Sequence, residues 1–261
     1  MFPGFTIFGH FIGMYGIMAV VGIFIACPIS IHWYKKRTGD DISLVFVYLF
    51  AAIGAFVGMH LLYGLTNISY WGALSEAKDF GDFLQRVGVI FGGGVFYGGL
   101  IGAIAAGMIS IKVQKLPFDT ATDCLAPSIA LFHGFARIGC FLGGCCYGVE
   151  SDFGFVFEHS LIEEANGVRR FPVQLCEAAF EFALFFLLWT LLRKNKLKGK
   201  LVMLYLMIYP VGRFILEFWR GDEIRGFIFG LSTSQFISIL LFVVSTVFFI
   251  LKSRKKPAVS A

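Results

Sequence analysis

Charged side chains are scarce in this sequence. Only 15% of the 261 residues are Asp, Glu, Lys or Arg, whereas a soluble domain carries about 25%. The apolar share is correspondingly high, at 57%. This balance excludes a soluble enzyme, a disordered chain and a free nucleic-acid-binding protein. The 31 glycines point the same way, because small residues allow transmembrane helices to pack closely.

Several other features are missing as well. The first apolar stretch lacks a basic n-region and has no small-residue cleavage site before His32, so we do not expect a cleaved signal peptide. We find no internal repeat, no low-complexity segment and no linker long enough to divide the chain. Six cysteines in a chain of 261 residues do not indicate a small disulfide scaffold. The sequence therefore predicts a single membrane domain over residues 1–261.

The apolar stretches predict an all-α polytopic membrane protein with about seven transmembrane helices. A spanning helix needs about 20 mostly apolar residues. The fourth candidate is the shortest, contains Pro127 and ends in a glycine-rich stretch. The predicted spans are residues 11–32, 42–64, 88–111, 121–138, 175–192, 200–219 and 233–251.

The charges predict the orientation. Fourteen of the 22 Lys and Arg residues fall in one set of loops, at residues 35–37, 112–115, 193–200 and 252–256. Basic residues concentrate in cytoplasmic loops, so we expect a cytoplasmic C-terminus and an N-terminus outside. The two longest loops, 65–87 and 139–174, then face outward.

Four arginines do not follow this rule, because Arg137, Arg213, Arg220 and Arg225 fall near the outer ends of predicted spans. Arg137 lies in residues 133–148, a segment with five glycines, three cysteines and His133. Glycine at this density allows the backbone to bend and to approach a ligand closely. We expect the segment to line an outward-opening cavity in which Arg137 binds an anion such as phosphate. The alternative is that Arg137 only extends to the membrane interface.

Residues 212–225 carry a second charged cluster. Arg213, Glu217 and Arg220 have i, i+4, i+7 spacing, which places them on one helical face. Ionisable groups within a span usually face the bundle interior. Since Glu217 neutralises one arginine, we expect a surplus of positive charge that suits an anionic ligand. A purely structural ion network between helices is the alternative.

Two weaker clusters follow. Gly94, Gly98 and Gly102 have the GxxxG spacing of a helix-packing face, and Tyr97 lies among them; Tyr15 precedes Gly16 near the outer end of the first span. At the start of the fifth span, Gln174 and Glu177 are three residues apart. An acidic group compensates a helix N-terminus, which explains Glu177 without a function but fits the deeper Glu181 less well.

The cysteines leave several interpretations open. The outer group contains Cys140, Cys145, Cys146 and Cys176. These residues are buried small hydrophobes or form disulfides, or Cys140, Cys145 and Cys146 bind a metal together with His133. The spacing is not that of a zinc ribbon. A nucleophilic pair of Cys140 with His133 is a further option.

Six motifs in order resemble the prolipoprotein diacylglyceryl transferase family, over about residues 11–251. They are Tyr15 before Gly16, Tyr-Gly-Gly-Leu-Ile-Gly at 97–102, Ala-Arg-Ile-Gly at 136–139 with Gly148, Pro-Val-Gln-Leu-Cys-Glu at 172–177, Arg-Phe-Ile-Leu-Glu-Phe-Trp-Arg at 213–220, and Leu-Ser-Thr-Ser-Gln at 231–235. The family has seven spans and an external N-terminus, in agreement with the charge count.

The resemblance implies a reaction and a set of residues. The family transfers the diacylglyceryl group of phosphatidylglycerol to the lipobox cysteine of a secreted prolipoprotein and releases glycerol 1-phosphate. This implies a multi-pass protein of the bacterial inner membrane whose partners are the bilayer, phosphatidylglycerol and the prolipoprotein, without nucleic acid, cofactor or metal. The candidate catalytic residues are Arg137, Arg213, Glu217, Arg220, Tyr97, His133 and Tyr15, and the candidate substrate-binding residues are Gly98, Gly99, Gly139, Gly148, Gln174, Glu177 and Gln235.

The sequence also departs from the family pattern. Tyr97 stands where the family usually has a histidine that is often proposed as a base, and Cys140 stands where it often has an asparagine. Cys145 and Cys176 replace a Glu and a Tyr. A phenol is a weak base at neutral pH, so His133, one turn before Arg137, is an alternative base.

Three alternatives to this transfer remain. The first is a related phosphatidylglycerol-dependent transferase that moves glycerophosphate to a surface glycan. The second is a membrane transporter, which the absence of an inverted repeat disfavours. The third is a metal- or redox-linked membrane oxidoreductase that uses the cysteines.

Overall fold

Seven helices of the computed structural model, which describes residues 2–222 and 226–254, are long and apolar enough to cross a membrane. This confirms the predicted number. Arg225, Lys255 and Lys256, which entered the charge analysis, lie outside the described residues. The spanning helices are α1 (Met14–Thr38), α2 (Ser43–Thr66), α4 (Phe96–Val113), α5 (Phe118–Gly143), α6 (Val173–Arg193), α7 (Leu201–Leu216, continued by a 3-10 turn at Glu217–Trp219) and α8 (Thr233–Arg254).

The third span begins at Phe96, eight residues later than the sequence predicted. Residues 80–90 form a separate short helix, α3 (Phe80–Ile90), whose N-terminus is capped by Asp79 through a 2.8 Å hydrogen bond from the Asp82 backbone N–H. The glycines at 92–94 separate the two helices. The apolar run at 88–111 is continuous in the sequence, but its residues therefore belong to two helices.

The fourth span differs most from its predicted course. The glycine-rich stretch was expected to bend, but α5 remains helical through Gly143 and, at 26 residues, is the longest helix in the described ranges. It ends in a Schellman motif: Gly144, at φ +75°, donates to the Phe141 carbonyl at 3.3 Å, and Cys145 donates to the Cys140 carbonyl at 3.1 Å. Two of the glycines within α5 serve packing, since a Cβ at Gly139 would lie 3.0 Å from the Tyr15 Cα and a Cβ at Gly134 would overlap the Phe182 ring.

In the described part of the chain, three pairs of short antiparallel strands lie outside the helices. Two of them turn at Phe8–Gly9 and Phe229–Gly230, where both residues have positive φ, as a two-residue hairpin turn requires. The loop predicted at 65–87 contains the 3-10 helix Ile68–Glu76 and the start of α3. The loop predicted at 139–174 contains a 3-10 turn at Glu163–Ala165. The paired strands are β1 (Gly4–Ile7) with β2 (His10–Gly13), β3 (Glu150–Val156) with β4 (Arg169–Arg170), and β5 (Phe227–Ile228) with β6 (Leu231–Ser232).

The chain forms two compact units. One is Tyr34–Ala121, and the other combines the chain before residue 34 with the chain from residue 122 onward. The single domain expected from the sequence stays a prediction. Within the unit Tyr34–Ala121, α2 and α4 cross at small residues. A Cβ at Gly58 would overlap the Gly98 carbonyl, and a Cβ at Gly54 would overlap the Gly102 carbonyl, so GxxxG packing is confirmed here.

The other unit buries polar side chains between helices. Helix α7 contacts both α6 and α8. Helix α6 buries one amide and two carboxylates: Gln174, Glu177 and Glu181 are at most 1% exposed. Buried carboxylates in an apolar helix are costly unless they are paired. Their partners come from α5 and α7 and define the candidate site.

Candidate active site

Polar side chains on three helices meet in one buried cluster. On α5, His133 and Arg137 are one turn apart, and on α7 Tyr205, Tyr209 and Arg213 follow at intervals of four residues. This spacing places each set on one helical face. Both sets reach the acidic residues of α6. The cluster therefore joins α5, α6 and α7 through charged groups.

Glu177 occupies the centre of this cluster. Its Oε1 lies 2.9 Å from Nη2 of Arg137 and 3.9 Å from Nε of Arg213. The Tyr209 hydroxyl donates a 3.2 Å hydrogen bond to the same oxygen. One carboxylate thus holds the two arginines near each other. Simple compensation of the helix dipole, the alternative offered by the sequence, does not describe these contacts.

His133 pairs with the deeper carboxylate of α6. Its Nδ1 lies 2.7 Å from Oε1 of Glu181 and 3.1 Å from the Tyr205 hydroxyl. That hydroxyl also donates to Glu181 at 3.2 Å. When Nδ1 carries the proton, Glu181 fixes the orientation of the ring and Nε2 is left able to accept a proton. Nε2 points toward Glu177, with 3.9 Å to Oε1.

Arg213 and Glu217 form an ion pair at the end of α7. Nη2 of Arg213 lies 2.6 Å from Oε2 of Glu217, at the predicted i, i+4 spacing. The expected shared face does not extend to Arg220, however, because the α-helix ends at Leu216 and Arg220 is extended. The prediction that all three residues lie on one helical face is therefore wrong for Arg220.

Arg220 is instead held by its own loop. Its guanidinium donates to both oxygens of Asp222, at 3.0 and 2.6 Å. Burial alone lowers the pKa of the Arg220 guanidinium, but the hydrogen bonds to Asp222 raise it above its usual value. Gly148 pairs with Arg220 in an antiparallel bridge, and a Cβ at Gly148 would overlap the Phe171 carbonyl. Glycine at 148 thus permits the close approach that positions Arg220.

The charge balance differs from the expectation of a positive surplus. Arg137, Arg213 and Arg220 each contact a carboxylate, because paired charges are far cheaper to bury than isolated ones. Two donors remain: among the described residues, Nε of Arg137 and Nη1 of Arg213 are buried without a hydrogen-bond partner. The cluster therefore has partnerless N–H groups and no surplus of positive charge among these three arginines.

The other predicted residues of this unit have different surroundings. Tyr15 lies in the first turn of α1, where its backbone packs against Gly139. The Gln174 amide donates a 2.9 Å hydrogen bond to the Cys145 carbonyl, and its Oε1 is a buried acceptor without a partner in the described chain. Gln235 forms a capping box with Ser232 at the start of α8, with 3.1 Å bonds in both directions.

Tyr97, Gly98 and Gly99 belong to the other compact unit. Tyr97 lies in the first turn of α4, is 45% exposed and packs edge to face against Phe96. Gly98 contributes to the crossing of α2 and α4, and a Cβ at Gly99 would lie 3.4 Å from the Ala55 carbonyl. Packing explains both glycines, and the catalytic role of Tyr97 stays a prediction.

Comparison of the sequence with known protein families agrees with this fold. The family model for prolipoprotein diacylglyceryl transferase matches residues 4–251. The chain belongs to this family. It is therefore a multi-pass membrane protein of a transferase family, in agreement with the seven spanning helices.

Curated relatives carry the same family name. A phosphatidylglycerol–prolipoprotein diacylglyceryl transferase 2 of Clostridium perfringens is 37% identical, over 91% of this chain and 90% of its own. A transferase of Clostridium tetani is 36% identical, over 92% and 93%. One of Geobacter sulfurreducens is 32% identical, over 97% and 96%.

Four polar residues of the candidate site were not chosen from the sequence. Tyr205, Tyr209 and Asp222 were not singled out, and Glu181 was noticed but not chosen as a site residue. A signal for the tyrosines existed, because residues 205, 209, 213 and 217 recur every four positions on α7. No pattern of spacing indicated Asp222, whose contact depends on the turn after Trp219.

The cysteines form no disulfide, although all six fall within the described ranges. His133 contacts Glu181 and Tyr205, and neither the predicted Cys140–His133 pair nor a ligand set that includes His133 is found among the described contacts. The sulfurs of Cys140, Cys145 and Cys146 nevertheless lie within 4.8 Å of one another.

Proposed function

We propose that this chain transfers the diacylglyceryl group of phosphatidylglycerol to the lipobox cysteine thiol of a prolipoprotein. In this reaction a C–S bond forms at the glyceryl carbon that bears the phosphate, and the C–O bond to that phosphate breaks. Glycerol 1-phosphate leaves, and the thiol proton passes to a base. The proposal is supported by the family match and by the names of the relatives.

The observation that carries the proposal is the pair of partnerless arginine donors. A buried N–H without an acceptor costs free energy, so Arg137 and Arg213 both gain if phosphate oxygens accept from them. Glu177 holds the two guanidinium groups within 3.9 Å of one carboxylate oxygen. Donors aimed at a phosphate also stabilise the charge that develops on the leaving group.

His133 fits the role of the base. The thiolate, not the thiol, is the nucleophile, and Nε2 of His133 can accept the thiol proton while Glu181 holds Nδ1. The resulting imidazolium would lie between two carboxylates, Glu181 and Glu177, which stabilise its charge. Glu181 then acts as a positioning residue.

The surroundings follow from the proposed reaction. We infer a location in the bacterial inner membrane, with the N-terminus outside. Phosphatidylglycerol reaches the site from the bilayer, and the prolipoprotein presents its cysteine from the outer side. The fourteen basic residues on the opposite side agree with this orientation.

The test uses purified protein in liposomes with phosphatidylglycerol and a lipobox peptide, followed by mass spectrometry. We expect a diacylglyceryl-shifted peptide and stoichiometric glycerol 1-phosphate. Arg137→Gln should lower kcat about 10²–10³-fold, the usual cost of a transition-state donor. Arg193→Gln, an exposed arginine at the end of α6, serves as the matched control and should retain activity.

The products separate the alternatives. Release of diacylglycerol with an unmodified peptide would overturn the proposal in favour of glycerophosphate transfer to another acceptor. Phosphatidylglycerol that remains intact under all conditions would remove the transferase interpretation altogether. An Arg137→Gln variant as active as the control would remove the proposed phosphate contact.

A further inference from the structure

Three thiols that the proposed reaction does not use converge beside the candidate site. The sulfur atoms of Cys140, Cys145 and Cys146 lie within 4.8 Å of one another. Cys140 is 6% exposed, and the other two are half-buried. Three sulfurs around a trigonal metal with bonds of about 2.3 Å would be about 4.0 Å apart. The thiols therefore need only small shifts to ligate one ion.

The backbone holds the three residues in this arrangement. Cys140 lies in the last turn of α5, and the Schellman motif at Gly144 reverses the chain directly after it. Cys146 has φ +55°, a left-handed conformation that is unfavourable for an L-residue. The Gln174 amide fixes the intervening loop by its bond to the Cys145 carbonyl. A strained residue persists where its surroundings hold it, often at a ligand site.

The ligand set indicates the class of metal. Thiolates select soft ions such as Cu(I). No His, Asp or Glu of the described ranges completes this group, whereas a structural zinc site takes four ligands. Three sulfurs suit a three-coordinate monovalent ion better than a four-coordinate divalent one.

The neighbouring charges favour the bound form. Arg137 and Arg220 both lie within electrostatic reach of Cys146. Binding of Cu(I) to three thiols releases three protons and leaves a complex with two negative charges, with no change in oxidation state. The two guanidinium groups attract that charge, although each is also paired with a carboxylate, Glu177 or Asp222. We propose that Cys140, Cys145 and Cys146 form a trigonal thiolate site for a soft monovalent metal ion, and that this ion is Cu(I).

The direct test measures binding without lipid or peptide. Purified full-length protein is titrated anaerobically with Cu(I) in the presence of a chromophoric Cu(I) chelator. We expect one ion per chain, with three sulfur neighbours by X-ray absorption. Cys145→Ser and Cys146→Ser should each weaken Cu(I) binding more than tenfold. Tenfold is the lower end of what losing an outer-shell contact costs, and these variants each remove a direct ligand. Cys176→Ser, which removes a thiol outside the cluster, is the matched control.

Two results would overturn the site. One is wild-type Cu(I) affinity in both Cys145→Ser and Cys146→Ser, with thermal unfolding showing that the variants are folded. The other is absorption data with nitrogen or oxygen ligands in place of three sulfurs. Bound ion should also raise the unfolding temperature of the wild type but not of Cys146→Ser, which provides a readout independent of the chelator.

A consequence for activity rests on the proposed function. An anionic metal–thiolate complex beside Arg137 and Arg220 should compete with a lipid phosphate, so Cu(I) should raise KM for phosphatidylglycerol. In Cys146→Ser, KM for phosphatidylglycerol should be the same with and without Cu(I). If Cu(I) binds with the expected stoichiometry while KM is unchanged, the metal site stands and only its link to the transfer reaction fails.

Discussion

Glu177 decides the geometry of the candidate site. A carboxylate buried in a membrane helix is costly, and it is tolerated here because Arg137, Arg213 and Tyr209 all approach its Oε1. Breaking a buried pair costs about 3–5 kcal/mol, since the remaining charge is left uncompensated. The residue therefore both stabilises the contact of α5 with α6 and α7 and aligns the guanidinium groups.

The base can be identified by comparing two residues. His133→Gln should lower kcat about 10²–10⁴-fold, the usual contribution of general base catalysis, whereas Tyr97→Phe should change it less than tenfold. The physical reason is that His133 has a positioning carboxylate at 2.7 Å, while Tyr97 contacts only Phe96 among the described ring contacts.

The measurement is the rate of peptide modification at saturating phosphatidylglycerol, with thermal unfolding as the control for folding. Glu181→Gln should reduce kcat less than His133→Gln does, because a positioning residue acts through the ring. The reverse order, in which Tyr97→Phe abolishes turnover and His133→Gln retains it, would assign the proton transfer to the other compact unit.

At the scale of single elements, the start of α8 tests the role of Gln235. Its side chain is engaged in the capping box with Ser232. Ser232→Ala and Gln235→Ala should each cost about 1 kcal/mol of stability, and the double variant should cost less than the sum because the two bonds are reciprocal. Thermal unfolding in detergent measures this.

Activity separates the cap from substrate binding. If Gln235 serves only the cap, both single variants lose the same small fraction of activity at a temperature where both are folded. A much larger loss in Gln235→Ala than in Ser232→Ala would show that the side chain also contacts substrate.

The crossing of α2 and α4 gives a second test at this scale. A Cβ at Gly98 would overlap the Gly58 carbonyl, so Gly98→Ala should destabilise the protein by about 1–3 kcal/mol, as overpacking does. Gly107→Ala is the matched control on the same helix, because its Cβ would meet Ala51 at an ordinary 3.8 Å. Equal unfolding temperatures for the two variants would argue against the close crossing.

At the scale of the whole molecule, the charge distribution predicts the sidedness of the loops. An enzyme reporter that is active only outside the cytoplasm should be active when fused after Glu164 and inactive when fused after Lys196. The reason is that the loop at 193–200 carries five of the basic residues, which are retained on the cytoplasmic side. The opposite pattern would invert the orientation and place the candidate site on the cytoplasmic side.

Sequence patterns predicted the architecture because each span must satisfy its own backbone hydrogen bonds. An apolar run of about 20 residues is therefore a local property, and seven were found. Boundaries were less accurate where local patterns competed. The glycines of 133–143 were expected to bend the chain, but packing against neighbours such as Tyr15 and Phe182 keeps α5 helical.

The candidate site was predicted only in part. Arg137, Arg213, Glu217 and Glu177 were identified because charges inside apolar segments are unusual. Tyr205 and Tyr209 were not, because a tyrosine in a membrane helix is ordinary and only its hydroxyl contact to Glu181 or Glu177 reveals a role. Gly148 was identified through the family resemblance, while its function of bringing Arg220 to the loop required the backbone bridge.

The sequence by itself determined the class of protein, the number of spans, the family and which arginines need an explanation, since these follow from composition and from short local motifs. Only the tertiary structure decided which carboxylate each arginine contacts, that His133 is held by Glu181, and that three cysteines meet. Such contacts join side chains from separate helices or across a reversing turn. Their distances depend on helix packing and loop geometry, which no local pattern encodes.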